Sequence, residues 1–157
     1  MSENVLYFAY GSNLDTKQME DRCPSAKFYC IAKLKDHKLA FSRSSIRLGG
    51  GVLDVIPALD SETWGVVFEL KKEELTQLDK AEGYSEGRER NAYLRKRVEV
   101  SEGSDNPKPL LVNIYFAVMQ EGRHPPNRLY LEKIVNGAKH WGLPDVYYED
   151  LKSAYSF

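Results

Sequence analysis

The sequence predicts an α+β fold with a mostly antiparallel, barrel-like sheet. Apolar runs of strand length recur along the chain, and helical periodicity interrupts them at only a few places. The two never settle into the regular βαβα rhythm of a parallel sheet. The 157 residues, 42% hydrophobic and 29% charged, suit one domain over 1–157, since a chain of that length can bury roughly two-thirds of its unfolded surface in a single core.

Residues 5–9 form a compact apolar and aromatic run, a buried first strand, broken by the turn-forming Gly11-Ser12-Asn13. A helix should start over 14–19, with Asp15 as N-cap, Gln18 closing a box-like pair, and Leu14 and Met19 as the hydrophobic staple; Pro24 stops it. Residues 28–34 and 38–42 flank Lys35-Asp36-His37 in the pattern of a hairpin. After Gly49-Gly50-Gly51, residues 52–56 and 64–70 form two more strands, separated by Pro57 and the polar residues 60–63. The period then changes: over 71–81, Leu75, Leu78 and Ala81 share one helical face, and this helix delivers Glu82-Gly83 at its C-terminal end. Strands return at 93–100, with Leu94, Val98 and Val100 on one side, and at 110–118. A helix over 128–139 carries Leu131, Ile134, Val135 and Ala138, and Pro144 falls in the first turn of a last helix.

Charge and composition exclude several functions. Twenty-two Lys and Arg against 23 Asp and Glu give a net charge of −1, which removes the general electrostatic case for nucleic acid or an anionic membrane. No signal-peptide pattern and no run of about 18 apolar residues occurs, so a cytoplasmic protein is expected. Cys23 and Cys30 form no CxxC pair, and His37, His124 and His140 are scattered, so no metal site is expected. The basic run Arg88, Arg90, Arg95, Lys96 and Arg97 reads as a solvated sheet face. The triple glycine lacks the Lys and Ser/Thr of a phosphate-binding loop and reads as a turn.

Two places could carry chemistry. In Tyr10-Gly11-Ser12-Asn13-Leu14 a strand, a small-residue turn and a capped helix start follow one another, so successive backbone N–H groups can converge on a carboxylate or phosphate; a plain connecting turn is the other reading. Ser12 lies outside any GxSxG context, which argues against a nucleophile. Glu82 stands in the last helical turn, where the negative end of the dipole disfavours an ionised carboxylate and so raises its pKa, as a general base/acid requires; an exposed surface Glu is the alternative. Tyr115 and Tyr130 read as core or core-edge aromatics whose hydroxyls need partners.

Together, residues 6–14 (LYFAYGSNL) and 78–84 (LDKAEGY) resemble the γ-glutamylcyclotransferase family, and Pro125-Pro126, Tyr130, Gly137-Ala138-Lys139 and Gly142-Leu143-Pro144 extend the resemblance over nearly the whole chain. Relatives with YGT in place of YGS resemble γ-glutamylamine cyclotransferases, so YGS favours the γ-glutamyl-amino-acid branch. The resemblance implies a small mixed β-barrel with flanking helices and a cofactor-free reaction. In it the free α-amine of a γ-glutamyl group attacks its own γ-amide carbonyl, giving 5-oxoproline and a free amine. It implies that Tyr10, Gly11, Ser12, Asn13 and Leu14 form the pocket for the glutamyl group, that Glu82 is the catalytic carboxylate, and that Tyr115 and Tyr130 orient the small-molecule γ-glutamyl substrate. The family includes dimers, so a homodimer is among its expectations. Residues 84–91 are longer and more charged than in the animal enzymes, which leaves open a γ-glutamylamine or γ-glutamyl-protected metabolite as substrate. A non-catalytic module that binds small carboxylates is the remaining alternative.

Overall fold

The computed structural model describes residues 3–84, 92–104 and 107–156. Among them, five strands close into a barrel in the order β1 (Asn4–Ala9), β3 (Gly50–Lys71), β2 (Lys27–Ser45), β4 (Tyr93–Glu102), β5 (Pro109–Ala117). Neighbours are antiparallel except at the closing seam, where β1 meets β5 in parallel through Tyr7 and Asn113. Four α-helices flank this mixed barrel: α1 (Thr16–Arg22), α2 (Leu75–Glu82), α3 (Arg128–Trp141) and α4 (Asp145–Tyr155).

The expected hairpin between 28–34 and 38–42 is not formed. Both segments belong to the single strand β2, both pair with β3, and the two strands expected at 52–56 and 64–70 are likewise one. Asp36 does adopt the left-handed backbone of a turn, with φ 58°, but it faces Asp60, φ 65°, whose N–H donates to Asp36 Oδ1 at 3.0 Å. Pairing steps from Lys35 with Glu62 to His37 with Pro57, leaving 58–61 outside the ladder. The paired turn signals therefore mark a bend in one long ribbon. Below the bend, β3 pairs with β1 and β2 with β4; beyond it the two strands pair only with each other and end in a tip at Ser45–Gly50, where Gly49 has φ 72°.

On β4 the inward positions also differ from expectation. Tyr93 is buried and Leu94 exposed, and burial passes to Val100 only at the far end of the strand. The core joins Phe8, Val66, Val67, Leu70 and Ile114 of the barrel to Leu78 of α2, Ile134 and Ala138 of α3, and Tyr147 and Leu151 of α4. Asp15 caps α1 as expected, while Pro144 stands at the N-cap of α4, one residue before its first turn. A Cβ at Gly137 would overlap the Leu14 backbone, so the glycine lets α3 press directly on the segment after β1. Trp141 Nε1 adds a bond to the Leu14 carbonyl at 2.8 Å. Among the described residues, no helix is long and apolar enough to cross a membrane.

Candidate active site

Strand β1 ends at a 3-10 turn, Ser12–Leu14, closed by Leu14 N–H donating to the Gly11 carbonyl at 2.9 Å. A helix start leaves its first N–H groups without an intrahelical acceptor, and here those of Gly11, Ser12 and Asn13 meet no protein acceptor among the described residues. The approach is held at Tyr10, whose hydroxyl donates to the Tyr115 carbonyl and whose carbonyl accepts from the Tyr147 hydroxyl, both at 2.6 Å. Asp15 Oδ2 accepts from Gln18 N–H at 2.9 Å. The Gln18 side chain does not complete the expected box: its Nε2 donates to Ser12 Oγ and Asn13 Oδ1, each at 2.9 Å.

Asn13 is the hub. Its Oδ1 also accepts from Arg22 Nη1 at 2.8 Å, and its Nδ2 donates to the Tyr7 hydroxyl at 2.8 Å and, over a longer 3.4 Å, to Glu82 Oε1. A buried amide has two donor hydrogens and two acceptor lone pairs, and all four are used.

Glu82 is the last residue of α2, and Gly83, with φ 71°, turns the chain away behind it. The helix is anchored by fully buried Leu78 and by Asp79, which accepts from Arg95 Nη1 at 2.8 Å and from the Tyr115 hydroxyl at 2.6 Å. The Glu82 side chain is 17% exposed and lies 3.8 Å from Arg22 Nη1. Burial pushes its carboxyl up to about 7, and the Arg22 cation opposes the rise. The shift expected from the helix dipole thus has burial as its main cause.

These groups surround a recess of about 30 Å³, lined also by Leu53 and by Tyr7, Tyr10, Tyr93, Tyr115 and Tyr130. Burial raises the pKa of all five hydroxyls, which stay protonated as neutral hydrogen-bonding groups. Tyr130 accepts from Leu53 N–H at 3.0 Å and so keeps its own proton to donate, while Tyr93 donates to the Leu53 carbonyl at 3.2 Å. A Cβ at Gly11 would meet only Leu53, at an ordinary 3.6 Å. Past Ser12, Glu82, Tyr93 and Tyr130 the recess adjoins an outer cavity of about 820 Å³.

Residues 62–151 match the AIG2-like family. The chain is 37% identical over 155 residues to γ-glutamylcyclotransferases of Homo sapiens and Mus musculus, covering 96% of this chain and 79% of each relative. A solved γ-glutamyl cyclotransferase superposes with TM-score 0.85 at 37% identity, over 96% of this chain and 88% of that one. The chain belongs to the γ-glutamylcyclotransferase family. A yeast γ-glutamyl cyclotransferase specific to glutathione shares the fold, with TM-score 0.63 at 14% identity over 99% of this chain and 98% of its own.

In this γ-glutamylcyclotransferase family member, Tyr10, Gly11, Ser12, Asn13, Glu82, Tyr115 and Tyr130 converge on one recess. Leu14 does not: its side chain is fully buried in the core, and its carbonyl is taken by Trp141. Tyr115 presents its ring, with its hydroxyl proton committed to Asp79. Sequence reasoning missed Tyr7, Gln18, Arg22 and Tyr93. The i,i+4 spacing of Gln18 and Arg22 on the helix leaving the turn was the available signal for two of them. The basic run is not one solvated face, since Arg95 pairs with Asp79 and lies over the Tyr84 ring, and Lys96 lies over Phe116. Arg88, Arg90 and the charged segment after Tyr84 fall outside the described residues.

Proposed function

We propose that this protein is a γ-glutamylcyclotransferase acting on γ-glutamyl-amino acids, with Glu82 as general base and acid. The carrying observation is a sheltered carboxyl with a pKa of about 7, beside a recess lined by a turn with unpaired amides. In this reading the Gly11, Ser12 and Asn13 amides hold the α-carboxylate of the glutamyl group. Tyr130 donates to the substrate, and Tyr10 and Tyr115 shape the recess. Glu82 takes a proton from the α-amine, whose nitrogen bonds the γ-carbonyl carbon. The C–N bond to the second moiety then breaks as Glu82 returns the proton to the leaving nitrogen, giving 5-oxoproline and a free amino acid.

Because nucleophile and electrophile share one chain, holding a near-attack geometry supplies much of the rate, on the order of 7 kcal/mol. Proton transfer through Glu82 adds roughly 10²–10⁴-fold. Mass spectrometry of γ-glutamyl-alanine incubated with the protein tests this. The expected products are 5-oxoproline and alanine, with kcat/KM lowered about 10²–10⁴-fold in Glu82→Gln. Near-native turnover by that variant defeats the role of Glu82, and binding of 5-oxoproline without turnover of any γ-glutamyl amide favours a binding module. A cytoplasmic location and a homodimer stay as expectations from the sequence; sedimentation of the purified chain tests the second.

A further inference from the structure

The outer cavity is charged in one sense. Among the described residues, Arg22, Arg43, Arg47, Lys80 and Lys133 line it against the single carboxylate of Glu82. Only Arg22 of the five has a carboxylate partner among those residues. Lys133 and Arg43 are oriented by neutral acceptors and have no carboxylate partner among the described residues. Lys133 Nζ donates to Gln18 Oε1 at 2.9 Å, placing the ammonium one side chain away from Ser12 and Asn13, and Arg43 Nη1 donates to the Val118 carbonyl at 3.0 Å.

The wall that carries Arg43 and Arg47 is the far end of the β2–β3 ribbon, which is tied to the loop after β5 on either side of the tip. Ser44 Oγ bonds His124 Nδ1 at 2.7 Å, Ser44 N–H donates to Gln120 Oε1 at 3.0 Å, and Gly51 N–H donates to the Pro125 carbonyl at 2.8 Å. A side chain at Gly51 would overlap the His124 carbonyl, so ribbon and loop are in direct backbone contact. Unpaired like charges around a concave surface focus a positive potential within it, and an entering anion relieves their repulsion.

Given the function proposed above, the inner recess takes the α-carboxylate end of the glutamyl group, and the outer cavity takes the part that is released. An ordinary leaving amino acid brings one carboxylate to four cations that have no carboxylate partner among the described residues. We infer that the outer cavity selects γ-glutamyl compounds whose leaving group carries a second carboxylate, an acidic amino acid, and selects against leaving groups that end in an amine.

The test compares kcat/KM for γ-glutamyl-glutamate with its neutral isostere γ-glutamyl-glutamine, with γ-glutamyl-alanine and ε-(γ-glutamyl)-lysine alongside. The glutamate compound is expected to lead the glutamine compound by about tenfold at low ionic strength, equivalent to about 1.4 kcal/mol, with the lead shrinking as salt rises. In the Arg47→Gln/Lys133→Gln double variant this ratio falls toward one, and Arg47→Lys/Lys133→Arg restores it. Equal kcat/KM for the two isosteres, with γ-glutamyl-alanine still turned over, overturns this inference alone. A preference that survives the double Gln variant overturns its assignment to these cations. Failure to turn over γ-glutamyl-alanine or any other compound of the set overturns the proposed function, and this inference with it.

Discussion

Glu82 holds its proton to about pH 7 because its carboxyl is sheltered, and this has opposite consequences for activity and stability. In its proposed role as base it must be ionised, so kcat/KM is expected to rise with pH through about 7. The folded protein, however, binds that proton more tightly than the unfolded chain, whose carboxyl titrates near 4.5. Between those values the native state holds more protons, so stability falls as pH rises, by up to about 3 kcal/mol in all. Denaturant melts of Glu82→Gln should therefore show a variant more stable than the native protein above pH 7, with the difference vanishing below pH 4.5. An advantage independent of pH would mean that the carboxyl is not strained by burial. Arg22 works against the shift, so Arg22→Met should move the acid limb of the kcat/KM profile to higher pH by about one unit, and Arg22→Lys should hold it in place. An unmoved limb in Arg22→Met would reduce Arg22 to a bonding partner of Asn13.

At the scale of elements, the site depends on α3 pressing against the Ser12–Leu14 turn through Gly137. Gly137→Ala forces helix and turn apart, with an expected cost of about 1–3 kcal/mol in thermal unfolding and a rise in KM for γ-glutamyl-alanine as the amides lose their alignment. Lost stability with unchanged KM would mean that the displaced helix leaves the turn in place. The helix ends were legible in the sequence because they are marked by local chemistry. Asp15 accepts the Gln18 N–H, and Gly83 and Gly142 take left-handed backbone angles that favour glycine. The long strands were not legible, because Asp36 and Pro57 carry the same local signature at a bend as at a chain reversal, and only pairing along the whole ribbon distinguishes the two. Leu14 was misplaced because it adjoins the turn in sequence, whereas its apolar side chain goes to the core. Tyr7 and Tyr93 lie in strand-forming segments whose inward face is set by barrel closure, which no local pattern records.

For the whole molecule, closure of the barrel is its thinnest connection. β1 and β5 meet through the single pair Tyr7 and Asn113, reinforced by Asn113 Nδ2 donating to the Leu6 carbonyl at 3.0 Å. Asn113→Leu should cost about 0.5–1.5 kcal/mol. Amide hydrogen exchange in β1 and β5 should also quicken ahead of the β2–β3 ribbon, where pairing runs over most of both strands. Uniform acceleration across all five strands would mean that the seam does not open on its own.

The bend at Asp36 and Asp60 divides the ribbon between two tasks. Below it, the strands belong to a barrel whose register is locked by pairing on both sides; beyond it, their ladder runs only between the two of them, and their ends on either side of the tip are tied to the loop at 118–127. If the outer cavity selects the leaving group as inferred, substitutions at the tip change which compounds are accepted while Glu82 and the Ser12–Leu14 turn keep their positions, so lineages that share the same chemistry are free to diverge in diet one loop at a time.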